Sequence, residues 1–185
     1  MNDDRNQSSL LVPPSTQDWM QGVLSAKVVL VMYGDYQCAR SADVYKMIKG
    51  INRELSAAFG EEYLCFIFRH FPQIQIHPHA QRAAQAAECA AVQGQFWSMH
   101  DTLFAHQQQL QNGYLVEYAN DLGLDIPQFL KELCKPVHLD RIHEDIESGC
   151  KSGITATPAL FINSIRHAGD WKITELMTAI VAASY

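Results

Sequence analysis

Val28-Val29-Leu30-Val31-Met32-Tyr33, followed by Gly34-Asp35-Tyr36-Gln37-Cys38-Ala39-Arg40-Ser41, sets the fold of this chain. The first six residues are a short apolar run rich in β-branched side chains, which predicts a buried strand. Beyond Cys38, residues Val44, Ile48, Ile51, Leu55 and Phe59 recur at intervals of four and three. That is the stripe of an amphipathic helix, and Gly60 is suited to end it. Cys38 therefore stands at a strand-to-helix turn, where unpaired N–H groups and the positive end of the helix dipole favour a thiolate. A dithiol redox turn reads C-x-x-C; here its second position is Ser41.

Working outward, Tyr63-Leu64-Cys65-Phe66-Ile67-Phe68 predicts a second buried strand. Strand, helical crossover and strand make a βαβ unit, hence parallel strands joined right-handedly. Upstream, Pro13-Pro14 and a polar stretch to Gly22 lead in, with a short extended segment expected around Trp19. Downstream, from about residue 78 to 153, the pattern is wholly helical. Helices are expected over 79–93, 95–106 and 114–122. A fourth is capped by Asp125 with Gln128 in capping-box register and Pro127 in its first turn. Pro136 breaks that helix, and a last one runs over 137–149. Strand signals return at 159–162, with 165–167 able to pair back across Asn163-Ser164. Ile173, Leu176, Met177, Ile180 and Val181 predict a C-terminal amphipathic helix. The order is βαβ, a helical insertion, then ββα. Residues 1–9 are expected to be a disordered tail and 10–185 a single domain.

Composition bounds the function. The 185 residues are 48% hydrophobic and 18% charged, as in an ordinary globular protein. A formal charge of −6 and no basic cluster argue against nucleic acid or an anionic membrane as partner. No run approaches the ~18 apolar residues of a membrane span, and the polar N-terminus does not resemble a signal peptide. A cytoplasmic location is the expectation. Cys38, Cys65, Cys89, Cys134 and Cys150 are odd in number and widely spaced, so no disulfide framework is suggested. Cys134, His138, His143 and Cys150 are of zinc-ligand type. Pro136 interrupts their register and the two histidines fall on different helix faces, so no metal site is expected.

The element order and several strings resemble those of DsbA-like thiol oxidoreductases, which are thioredoxin folds carrying a helical insertion. The strings are Tyr33-Gly34-Asp35-Tyr36-Gln37-Cys38, Arg69-His70-Phe71-Pro72, His77-Pro78-His79-Ala80, Gln93-Gly94-Gln95-Phe96-Trp97 and Met99-His100-Asp101-Thr102-Leu103-Phe104. Gly153-Ile154-Thr155-Ala156-Thr157-Pro158 corresponds to the family's cis-proline loop. The resemblance covers about residue 20 to the end. It implies an α/β thioredoxin fold, with Cys38 as nucleophile and Thr157-Pro158 presenting backbone to a substrate chain. Two family positions differ. Ser41 replaces the resolving cysteine, and Met32 stands where a buried carboxylate often serves that cysteine's proton transfer. Losing both is coherent, because an unpaired carboxylate in a strand core would only cost free energy.

These residues predict a monothiol oxidoreductase. Cys38 attacks a disulfide, Arg40 adds a nearby cation for substrate binding, and Ser41 Oγ is expected to donate to the thiolate. Resolution of the mixed disulfide then falls to glutathione as co-substrate or to another thiol; no bound cofactor is expected. The partner is a protein or low-molecular-weight disulfide or thiol, with the oligomeric state open. Two alternatives stand beside this reading: a redox-inactive interaction module, and a dithiol enzyme whose second cysteine was replaced by serine as a trap. Cys65 and Cys89 read as small buried thiols.

Overall fold

The computed structural model describes residues 8–185. Five strands form one mixed sheet: β1 (Trp19–Gln21), β2 (Val28–Gly34), β3 (Leu64–His70), β4 (Ala159–Ile162) and β5 (Ile165–Arg166), in the order β1-β3-β2-β4-β5. β2 and β3 run parallel, with Val28 opposite Leu64 and Gly34 opposite His70. The β1–β3, β2–β4 and β4–β5 pairs are antiparallel. This is the predicted thioredoxin arrangement with its helical insertion.

Side-chain alternation along the strands separates two cores. Val28, Leu30, Met32, Leu64, Phe66, Phe68, Leu160 and Ile162 face one side. There they meet α1 (Ala39–Phe59), α7 (Ile173–Ala182) and most of the insertion. Val31, Tyr33, Cys65, Ile67 and Phe161 face the other. That side is covered by α6 (Pro136–Lys151), whose Ser148 Oγ lies 2.8 Å from Tyr33 Oη. The insertion comprises α2 (Ala80–Ala91), α3 (Phe96–Ala105), α4 (Asn112–Asp121), α5 (Ile126–Leu133) and α6. Trp19 fastens it to the sheet edge by stacking on Phe96 at 4.3 Å and donating its indole N–H to Glu88 at 2.7 Å.

Several expectations shift in detail. β3 continues to His70, two residues beyond the apolar run, because Phe71 N–H donates to Gly34 O and keeps the pair aligned. Phe59 closes the predicted apolar stripe of α1 but is 60% exposed. It lies past the sheet and stacks on Tyr63 at 4.6 Å instead. The expected hairpin turn at Asn163-Ser164 has φ of 46° and 69°, the two left-handed residues of a type I′ turn. Ser8 and Ser9, read from sequence as part of the tail, pair with β5: Ser9 bridges Ile165, and Ser8 O accepts from Arg166 N–H. The remainder of that tail, residues 1–7, lies outside the described residues.

Candidate functional site

Cys38 is the N-cap residue of α1, with extended φ and ψ of −80° and 114°. No side chain caps this helix start and its first turn holds no acidic residue. The positive end of the helix is therefore left to the cysteine sulfur. Across from it, the Thr157–Pro158 peptide bond is cis, and Cys38 Sγ donates to Thr157 O at 3.5 Å. Thus the structure brings Cys38, Thr157 and Pro158 into one place from opposite ends of the sequence. β2 and β4 are adjacent strands, and both residues flank the same end of that pair.

Ser41 is placed differently from expectation. Ser41 is fully buried, one turn into α1, and its Oγ accepts from Asp35 N–H at 3.4 Å. Among the described residues it makes no hydrogen bond to Cys38, so the expected donation to the thiolate is not formed. The helix turns Ser41 inward beneath the loop, and the backbone N–H there is the nearer partner. Arg40 is exposed on the outer side of α1 and pairs with no described carboxylate. Met32 is buried in the apolar core beneath the turn. Gly34, between them, allows close packing: a Cβ there would stand 2.5 Å from the Phe68 ring.

The turn is held by residues to which sequence reading assigned no role. Asp35 is 1% exposed. Its Oδ1 accepts from Gln37 N–H, and its Oδ2 from Gln73 N–H and His77 Nδ1–H, each at 2.8 Å. Gln73 then reaches the cis-proline loop: its Oε1 accepts from Thr157 Oγ1 at 3.1 Å and Thr157 N–H at 3.4 Å, and its amide donates to Thr155 O at 3.3 Å. One buried carboxylate thus ties the nucleophile's turn to the loop that faces it. From the insertion, Gln107 Nε2 donates to Tyr36 O at 2.7 Å and Cys38 O at 2.9 Å. Gln37 Oε1 accepts from His79 N–H at the start of α2. An aspartate three residues before Cys38 does carry one local signal, the side chain bonding the backbone two residues on. Gln73, His77 and Gln107 are distant in sequence and carry none.

Behind the turn lies a polar group set in aromatic rings. Tyr36 Oη is 2.7 Å from His100 Nδ1, and His100 is enclosed by Tyr45, Phe68, Phe96 and Phe104. Burial, with the neighbouring His70 and Lys49, holds the His100 pKa well below the usual histidine range, so this ring is neutral. Nearby, His70 Nε2 is 2.9 Å from Glu88 Oε1. Burial opposes the Glu88 charge, but the His70 and Trp19 hydrogen bonds leave its pKa lowered. All five cysteines are unpaired. Burial raises Cys65 to about 11 and Cys89 to about 12, which makes both inert thiols at neutral pH. Among the described residues, no three His, Cys, Asp or Glu side chains are placed to hold a metal.

No helix of the described residues is long and apolar enough to cross a membrane. In fold the chain is similar to alpha-DsbA1 of Wolbachia pipientis, with a TM-score of 0.80 and 20% identity over 96% of each chain. It is also similar to oxidised BdbD of Bacillus subtilis, with a TM-score of 0.76 and 22% identity over 96% of this chain and 97% of that one. A sequence relative is the Na(+)/H(+) antiporter NhaA 3 of Salinispora tropica, 36% identical over 175 residues. The match takes in 94% of this chain and 26% of the antiporter, so the chain spans about a quarter of the curated relatives it matches. Residues 15–182 match the family model described as thioredoxin, and with its cis-proline loop and helical insertion the chain belongs to the thioredoxin family, in the DsbA-like form of the fold.

Proposed function

We propose that this protein performs thiol–disulfide exchange through Cys38 alone. The observation that carries the reading is the pairing of a partly buried cysteine at an uncapped helix start with the Thr157 carbonyl, 3.5 Å from its sulfur, while a buried serine occupies the resolving position. The Cys38 thiolate attacks one sulfur of a substrate disulfide. A new S–S bond forms, the old one breaks, and the released thiolate takes a proton from solvent. An alcohol at Ser41 cannot repeat that attack, so an external thiol, glutathione or a protein cysteine, must displace the substrate and restore Cys38. Thr157, whose N–H makes only a long bond to Gln73, has backbone available to pair with an extended substrate chain. A reducing, thiol-rich compartment such as the cytoplasm suits this cycle. The antiporter relatives extend the proposal to a setting beside a transporter, with the substrate disulfide on that or an associated protein.

The test is incubation with oxidised glutathione, then digestion and mass spectrometry to locate the adduct. Cys134 and Cys150 are exposed, so both are replaced by serine in the tested protein. The expected result is one glutathione on Cys38, removed by reduced glutathione and absent from Cys38→Ser. An unmodified Cys38 would favour a redox-silent docking module.

A further inference from the structure

One flank of α1 forms, with α3, an open cleft of about 730 Å³. Ala42, Lys46, Lys49 and Arg53 line it from α1, and Asp101 and Phe104 from α3. On a helix, those four α1 positions fall within roughly 80° of Cys38 around the axis. The cleft therefore begins one turn below the nucleophile and runs away from it. Gln107, just past α3, bonds Cys38 O and fixes the upper end beside the sulfur.

The cleft lining holds Lys46, Lys49 and Arg53 against Asp43 and Asp101, an excess of one positive charge in a protein of net charge −6. Asp101 is already satisfied, accepting from Lys49 Nζ at 2.9 Å and from Tyr45 Oη at 2.6 Å. Lys46 and Arg53 are exposed and pair with no acid among the described residues. Asp43, at the rim, is the remaining acidic side chain of the lining. By helix rise, Lys46 stands about 12 Å and Arg53 about 22 Å along the axis from Cys38. An extended chain covers those distances in about four and about seven residues.

We infer that this cleft receives an acidic segment of the disulfide substrate, a peptide with carboxylates about four and seven residues from its reacting cysteine. The inference rests on the exchange reading for Cys38 and supplies its substrate class. During exchange the peptide sulfur bonds to Cys38 Sγ, the peptide's former partner leaves as a thiolate and is protonated, and Lys46 and Arg53 hold the carboxylates. Phe104 and Ala42 give the segment an apolar floor.

Two measurements separate the inference from the reading beneath it. The first is binding, by fluorescence anisotropy, of ten-residue peptides carrying serine at the cysteine position and either Glu or Gln at the fourth and seventh places, in both chain directions. At low salt one direction of the Glu peptide is expected to bind about tenfold tighter than its Gln counterpart. The ratio should fall toward one in 0.5 M NaCl and invert in the Lys46→Glu, Arg53→Glu double variant. Equal binding of Glu and Gln peptides in both directions overturns the inference. The second is exchange of Cys38 with hydroxyethyl disulfide, a small neutral substrate. The double variant should match the parent rate. Absence of exchange in both proteins would overturn the Cys38 reading, while the anisotropy result still decides the cleft.

Discussion

Replacing Asp35 by asparagine tests whether one carboxylate holds the reactive turn and the cis-proline loop together. The carboxylate accepts three hydrogen bonds at 2.8 Å, two on Oδ2 and one on Oδ1. An amide has one acceptor oxygen, and its best orientation keeps Gln73 N–H and His77 Nδ1–H on that oxygen. The amide nitrogen then faces Gln37 N–H, donor against donor, at a site 1% exposed. Charge-assisted bonds contribute about 1.5–3 kcal/mol each and neutral ones about half of that. Losing one bond and weakening two gives a cost of about 3–6 kcal/mol. For a domain of this size that lowers Tm by roughly 6–24 °C. The turn should also loosen, so Cys38 alkylation by iodoacetamide should change while its response to pH is followed alongside. Unfolding of Asp35→Asn within about 0.5 kcal/mol of the parent, with an unchanged alkylation rate, would refute the account of Asp35 as the tie.

Other perturbations follow from the same geometry. Cys38→Ser should abolish every mixed disulfide, whereas Ser41→Cys should form an internal disulfide with Cys38 and resolve its own adducts, read by gel-shift alkylation; persistence of the adduct in Ser41→Cys would contradict the placement of position 41. Burial raises the Asp145 carboxyl to about 6, although Arg141 and His70 N–H partly offset it. Because the folded value is raised, the native state holds this proton to higher pH than the unfolded chain, and stability from it is lost as pH rises from about 4 to about 6. Asp145→Asn keeps an acceptor for His70 N–H, so at pH 7 it should be more stable than the parent by about 3 kcal/mol and lose that slope in chemical denaturation. Alkylation of the native protein at pH 8 should label Cys38, Cys134 and Cys150 and spare Cys65 and Cys89 until the chain unfolds; early labelling of Cys89 would mean that α2 opens locally.

The sheet and its insertion were legible because they rest on local periodicity. The apolar runs of β2 and β3, the stripe of α1 and the Asn163-Ser164 turn all follow from neighbours in sequence. Phe59 shows where that stops: its position fits the stripe, but whether a sheet lies beneath the last turn depends on strand length. The site was half legible. Cys38 carries a signature of its own at the strand-to-helix turn, whereas the reading of Thr157-Pro158 rests on the family resemblance; their meeting follows from the strand order. The role of Ser41 was misread because Oγ direction depends on whether the sulfur or the Asp35 amide is closer, which spacing along a helix does not give. Gln73 and Gln107 were invisible since a glutamine has no positional preference that marks a clamp. Their work appears only when 38 to 84 residues of separation collapse to one hydrogen bond, as with Gln73 to Asp35 and Thr157.

The short pairing of Ser8 and Ser9 against β5 has a consequence for how molecules of this protein meet. β5 is two residues long and ends the sheet, and Ile165 within it is 51% exposed. Its outer backbone groups face Ser8 O and Ser9, and Leu10 N–H closes the row on Ser164 O. A bare edge of this kind is a template for another chain's strand. Ser8 and Ser9 thus act as a guard strip: trimming back to Leu10, which is itself part of the core, would leave that core intact while giving the sheet a sticky margin, and edge-to-edge association rather than unfolding would be the first sign of their loss.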